Sequence, residues 1–488
     1  MTFIPVILWS DALVFLLLAA GVATAWFVRQ REHLLLPWRR VAQSGVALVS
    51  LLVLTLFFGI GLLDSLHFRM ALPQSNGGEK VYFSEVLSVF DKLVEPLRTQ
   101  TEKTYSAPFA LALYAKESIS DAQGNVAREY PRLQYGGAHL VDEAQRDDDV
   151  VRRTLTGGVA GFIAVMLLLV GIASFRRRPE NKARGRSFEE RPSSGVNAKA
   201  FLNDWIPACA GMTLHKAWRA VIIASLIFAT LIGAIANLAS VYHVLGTDKV
   251  GQDVLYLALK SIRTGLIIGT VTTLVTLPLA LLLGIAAGYF RGWVDDIIQY
   301  VYTVLSSIPS VLLIAAAVLM MQVTIDTHPE WFTTSASRAD MRLVALCFIL
   351  GVTSWTGLCR LLRGETLKLR EMEYIQAAQS FGVSSLRILT RHIMPNLMHI
   401  ILIALVMDFS ALVLAEAVLS YVGVGVDPSM ISFGTMINGA RLEMGREPMV
   451  WWALAAAFAF MLVLVLAANL FADAVRDAFD PRLNRNAV

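Results

Sequence analysis

Charge is what this chain has least of. Only 16% of its 488 residues are Asp, Glu, Lys or Arg, against about 25% in an ordinary soluble domain. With 56% of residues hydrophobic, too little polar sequence is left to coat a water-exposed fold, which excludes a single soluble enzyme. Cysteine is also scarce. Cys209, Cys347 and Cys359 are unevenly spaced and two lie in apolar runs, so neither a disulfide framework nor a zinc site is expected. The eight histidines form no HExxH pattern, and there is no sign of a Ser–His–Asp or Cys–His constellation. Lys+Arg 42 against Asp+Glu 38 leaves a net charge of +4, too slight an excess for a nucleic-acid binder. No cleavable signal peptide is expected either. The first apolar run has no basic residue before it and Arg29 and Arg31 after it, the reverse of a signal's charge order.

Apolar runs are present instead, nine of them: 3–28, 45–66, 155–175, 221–242, 266–290, 297–323, 343–362, 397–422 and 450–471. Each is long enough for a helix rising about 1.5 Å per residue to cross a hydrocarbon core of about 30 Å. Basic loops set the sidedness. Arg39 and Arg40, then Arg176, Arg177 and Arg178, then Arg363, Lys368, Arg370 and Arg387 follow spans one, three and seven. All three loops face the cytoplasm if the N-terminus is outside and the C-terminus inside. The expected fold is an all-α polytopic membrane protein.

Two polar insertions interrupt the series. Residues 1–68 carry two spans, and 69–153 form an outer insertion with an amphipathic stretch at 84–97 and a second segment around 105–116. A third span, 154–175, leads to an inner segment, 176–214, rich in Arg, Ser, Gly and Asn, which reads as a flexible linker. Its patch Asp204 to Thr213 is unusually apolar. Residues 215–488 hold the remaining six spans. No internal repeat is evident, so an inverted-repeat transporter is not supported.

The most informative segment is the inner loop 371–395, EMEYIQAAQSFGVSSLRILTRHIMP. Residues 371–381 favour a helix, which Gly382 closes in a left-handed conformation. Ser384 is placed to cap a second short helix, 386–392. Pro395 breaks the pattern before the next span. Small Ala377 and Ala378 leave room for another surface to approach.

This spacing, with Ala377, Ala378, Gly382 and Pro395, resembles the EAA loop of ABC-importer permeases. Gln376 stands where that family has glutamate. The resemblance extends over about 214–482 and is closest to the C-type subunit of the dipeptide/oligopeptide permease family. Gly246-Thr247-Asp248 with Gly251 and Asp253 is similar to its outer GTD–GRD segment, Gln252 replacing the arginine. Gly288 to Asp295 resembles its tight inner turn, Leu414 to Gly425 another family stretch, and Asp480-Pro481-Arg482 its ending. The resemblance implies a bacterial inner-membrane permease with a six-helix core preceded by three extra spans. Its loop, with Gln376, Arg387 and His392, would seat in a groove of an ATP-binding subunit. It also implies a second, homologous permease, two ATP-binding subunits holding ATP and Mg, and a periplasmic binding protein delivering di- or oligopeptides. Some relatives carry nickel or other small solutes instead.

Gly246 and Gly251 have phosphate-loop spacing, but Gln252 and Asp253 replace the required Lys and Ser or Thr. No other P-loop exists, so ATP hydrolysis is expected on separate subunits and no cofactor in this chain. Asp408 and Glu416 fall in the eighth span, where carboxylates are costly. Eight helical residues place them about 80° apart, candidates for lining one pathway. The competing reading is a proton relay in a secondary transporter. Gly284 and Gly288 form a GxxxG helix-packing pair, and Pro309 is expected to kink the sixth span.

Overall fold

The computed structural model describes residues 3–30, 32–72, 82–120, 126–177, 216–332 and 334–479. The linker patch 204–213, Cys209 and the ending Asp480-Pro481-Arg482 lie outside the described residues.

Among them, nine helices are long and apolar enough to cross a membrane. In chain order, strand β1 (Phe3–Val6) precedes helices α1 (Trp9–Arg29), α2 (Glu32–Val41) and α3 (Gly45–Asp64). The insertion contributes β2 (His67–Met70), β3 (Leu87–Ser88), α4 (Val89–Leu93), α5 (Glu95–Thr99), β4 (Glu117–Ser120) and β5 (Val126–Glu129). Next come α6 (Arg146–Arg177), α7 (Lys216–Ala239), α8 (Val254–Phe290), α9 (Trp293–Ser307) and α10 (Ser310–Thr327). The chain continues through α11 (Ser335–Arg370), α12 (Glu373–Ser380), α13 (Ser385–Ile388), a π-helical turn (Leu389–Ile393), α14 (Met394–Val422), α15 (Phe433–Glu443) and α16 (Trp452–Phe479).

Four expected spans need correction. The first is shorter: residues 3–6 pair antiparallel with β2, Phe3 opposite Met70, and the crossing window is Trp9–Trp26. The sixth is divided. Pro309 has no N–H to continue the ladder, so α9 stops at Ser307 and α10 starts at Ser310. Only α10 qualifies as a crossing helix, and α9 carries exposed Trp293 and Tyr300. The fifth and seventh extend well beyond the apolar runs. At 37 and 36 residues, α8 and α11 are about 55 Å long.

Those two helices form the spine and run parallel. Arg263 lies near Asp340, the hydroxyl of Thr276 donates to the Gly351 carbonyl, and Gly284 abuts Cys359. A Cβ on Gly284 would lie 2.7 Å from the Cys359 carbonyl oxygen, and one on Gly288 2.6 Å from Thr366 Cβ. The glycine pair therefore permits the helix contact. Cys347 and Cys359 are buried and free. A separate hairpin forms where Gly161 of α6 meets the Ala229 backbone and Gly233 of α7. At one end of the spine sits the insertion; at the other sits the 371–395 loop.

Candidate functional site

At the loop end, α11 stops at Arg370 and α12 follows after two residues. Gly382 (φ +74°) ends α12 with a paired cap. Its N–H donates to Gln379 and the Val383 N–H to Ala378, the pattern that leaves a helix through a left-handed residue. Ser384 occupies the N-cap position of α13 but makes no side-chain capping bond. The second helix also differs from expectation. It is α-helical only over Ser385–Ile388, then passes through the π-helical turn directly into α14. Pro395 breaks nothing: it stands at the second position of α14, where the π-helical turn gives way to α-helix.

Burial divides this loop into two faces. Ile375, Ile388 and Ile393 are fully buried in a cluster with Leu362, Tyr289 and Leu397. Phe381 is 87% and Leu386 72% exposed, with Met372 and Tyr374 also outward. Gln376 and Ala377 are exposed and Ala378 half-buried. The Gln376 amide donates to the Glu371 carbonyl at 3.3 Å. Arg387 is exposed, while His392 packs beside Tyr374, whose hydroxyl is 3.1 Å from Asn396 Nδ2. The neighbouring tight turn, with Arg291 and Gly292 both at positive φ, braces the loop. Arg291 pairs with Glu371, and Arg363 holds Asp295 through two bonds of 2.5 and 2.7 Å.

The insertion end was hardly visible in sequence. The Gly246 and Gly251 segment is gripped by residues 102–114. Ser106 N–H donates to Thr247 Oγ1 at 2.6 Å, Thr247 N–H to the Ser106 carbonyl, and Glu102 N–H to the Gly251 carbonyl. The Glu102 carboxylate accepts the N–H groups of Gln134, Tyr135 and Gly136 at 2.7–3.0 Å. His243 bridges this carboxylate, 3.5 Å away, to Asp253, 2.8 Å away. Asp253 caps α8 through the N–H groups of Leu255 and Tyr256. Burial pushes Glu102 up, but His243 and the three N–H groups outweigh it and hold it at about 2. Burial pushes His243 down, and the adjoining Asp253 and Glu102 raise it to about 9.

Two cations one turn apart on α8, Lys260 and Arg263, find their counter-ions in the N-terminal part. Lys260 Nζ reaches Asp91 at 2.5 Å and Asp64 at 3.2 Å, and Arg263 reaches Asp11 at 2.6 Å. His67 and Ser65 complete the cluster. The clue available was a pair of charges at the edge of an apolar run; their partners lie 169 or more residues away.

Asp408 and Glu416 part company. Asp408 is half-buried on α14. Glu416 is 1% exposed and its Oε1 accepts from Ser420 at 2.7 Å and Ser432 at 2.8 Å. Among the described residues, no group of three or more His, Cys, Asp or Glu is placed to hold a metal.

A spine of long crossing helices and a bent loop with an outward apolar ridge are the architecture of a polytopic, membrane-embedded helix bundle. Residues 280–485 match the family described as binding-protein-dependent transport system inner membrane component. An oligopeptide transport system permease protein of Mycobacterium tuberculosis is 32% identical over 239 residues, 49% of this chain and 76% of that one. A glutathione transport system permease protein of Pectobacterium atrosepticum is 34% identical, covering 49% and 73%. A dipeptide transport system permease protein of Bacillus subtilis is 28% identical, covering 50% and 70%. The chain belongs to this family and is a multi-pass inner-membrane permease component of a binding-protein-dependent ABC transport system.

Proposed function

We propose that this chain is the permease subunit of an ATP-driven importer of di- or oligopeptides, with the insertion and N-terminus outside and the C-terminus inside. A second, homologous permease would complete the pathway, a soluble binding protein would deliver cargo, and two separate ATP-binding subunits would supply hydrolysis. The observation that carries the reading is the two-faced loop. Ile375, Ile388 and Ile393 root it in the helix bundle, while Phe381 and Leu386 project from it without cover. Exposed apolar side chains on a charged loop mark a protein contact. In this reading Gln376, Ala377, Ala378, Gly382, Arg387, His392 and Pro395 build the surface that meets the ATPase. Closure of the ATPase pair would move the loop and switch the bundle between two access states. Asp408 is the candidate for contact with the pathway; Glu416 is too deeply enclosed to line it.

The test is gentle purification followed by mass spectrometry of what accompanies the chain, then identification of the ligand on the binding protein. Two ATP-binding subunits, a second permease and a peptide ligand are expected. Recovery of the chain alone from a membrane that retains uptake, or uptake that collapses with a proton uncoupler at constant ATP, would overturn the reading.

A further inference from the structure

Two cavities open at the insertion end, of about 360 and 330 Å³. Tyr105, Lys249 and Glu443 are among the walls of the first; Lys260, Arg263 and Asp340 are among those of the second. Ser429, Met430 and Ile431 line both, so this short loop divides them. Three helices hold the loop. From α11, Arg342 pairs with Asp427, whose Oδ1 accepts the Ser429 N–H and hydroxyl at 2.9 and 2.6 Å. From α8, Thr264 Oγ1 donates to the Ile431 carbonyl at 2.7 Å. From α14, Glu416 Oε1 accepts the Ser432 hydroxyl, and Ser432 is the N-cap of α15.

The third attachment differs from the others in where its helix leads. Helix α14 runs without interruption from Met394, at the loop proposed to meet the ATPase, to Val422. Glu416 stands 22 residues along it, about 33 Å from that end. The packing around its carboxyl leaves little slack. A Cβ on Gly434 would lie 2.7 Å from Glu416 Oε1 and would overlap Ser420. Displacement of α14 at the loop end is therefore delivered to the start of α15 and to the divider between the cavities.

We infer that Glu416 is a positioning residue that links movement of α14 to the Ser429–Ile431 divider by holding Ser432, neither lining the cargo path nor relaying protons. The inference rests on the permease reading above. Its test uses the full transporter in lipid nanodiscs or proteoliposomes, with binding protein and a labelled tripeptide, measuring peptide moved per ATP hydrolysed. Glu416→Gln keeps an acceptor oxygen for both hydroxyls and is expected to stay within about twofold of wild type. Glu416→Leu removes the acceptor and is expected to lower peptide moved per ATP about tenfold, with hydrolysis continuing. A Glu416→Gln variant as defective as Glu416→Leu, or a Glu416→Leu variant with wild-type coupling, overturns the inference. If Glu416→Leu does not assemble, Ser432→Ala, which removes the donor, decides it: a several-fold fall in peptide moved per ATP is expected, and wild-type coupling overturns the linkage. A wild-type complex that moves no tripeptide with ATP counts against the functional reading instead, and is a separate result.

Discussion

The carbonyl oxygen of Glu102 occupies the space a Cβ on Gly251 would need. Gly251 also has φ +76°, a region that costs a side-chain-bearing residue on the order of 1–3 kcal/mol. The insertion is thereby fitted against the segment leading into α8, and not tethered beside it. Gly251→Ala is expected to destabilise the solubilised chain by at least about 2 kcal/mol through strain and overlap together. Thermal unfolding in detergent would measure it, and an unchanged midpoint would refute the fit.

Glu102 and His243 give this same junction a pH dependence with a defined sign. His243 is raised from 6.5 to about 9, so its contribution is complete below pH 6.5 and is lost as pH climbs through 9. Glu102 is lowered from 4.5 to about 2, so its contribution is complete above pH 4.5 and is lost as pH falls towards 2. Stability is expected to be highest between these limits and to decline between pH 6.5 and 9. His243→Gln should flatten that alkaline decline while lowering the plateau. A melting series across pH, wild type against variant, checks both features.

Much of the fold was legible because lipid demands long apolar helices, and nine such runs stand out from the polar sequence around them. The 371–395 loop was legible for a local reason: Gly382 and the paired alanines show their pattern within a dozen residues. What escaped depends on distance. The span expected at 266–290 starts beyond Lys260 and Arg263, yet α8 includes both, with Asp11, Asp64 and Asp91 of the N-terminal part as their counter-ions. Nothing near Lys260 in sequence announces Asp91. Helix α15 was missed although Ser432 and Thr435 form a reciprocal cap at its start, a local signal lost beside the much stronger spans on either side.

Gly382 supplies a prediction at the other end. A Cβ there would meet nothing within 4 Å, so the cost of substitution is purely conformational. Gly382→Val should leave the bundle folded but disturb the exit from α12, where φ +74° disfavours a β-branched residue. ATP-driven uptake is expected to fall several-fold while ATP hydrolysis by the partner subunits persists. Undiminished uptake by the variant would remove the loop from the coupling mechanism.

The N-terminal part should prove indispensable to the core it precedes, and Arg263 provides the sharpest test. Its guanidinium is 6% exposed and bonded to Asp11, Ser10 and Ser65. Asp11→Ala leaves that cation with only hydroxyl hydrogen-bond partners, Asp64 and Asp340 acting on it without a direct bond, which for a buried pair costs about 3 kcal/mol. Arg263→Met in the same background removes the stranded charge and keeps an apolar side chain of comparable length. The double variant is therefore expected to be more stable than Asp11→Ala alone, although one more residue has been changed. Heat survival of the solubilised protein orders the three chains. If the double variant were the weakest, the Asp11–Arg263 pair would not be what joins α1 to α8, and deletion of residues 1–30 should then leave the core intact.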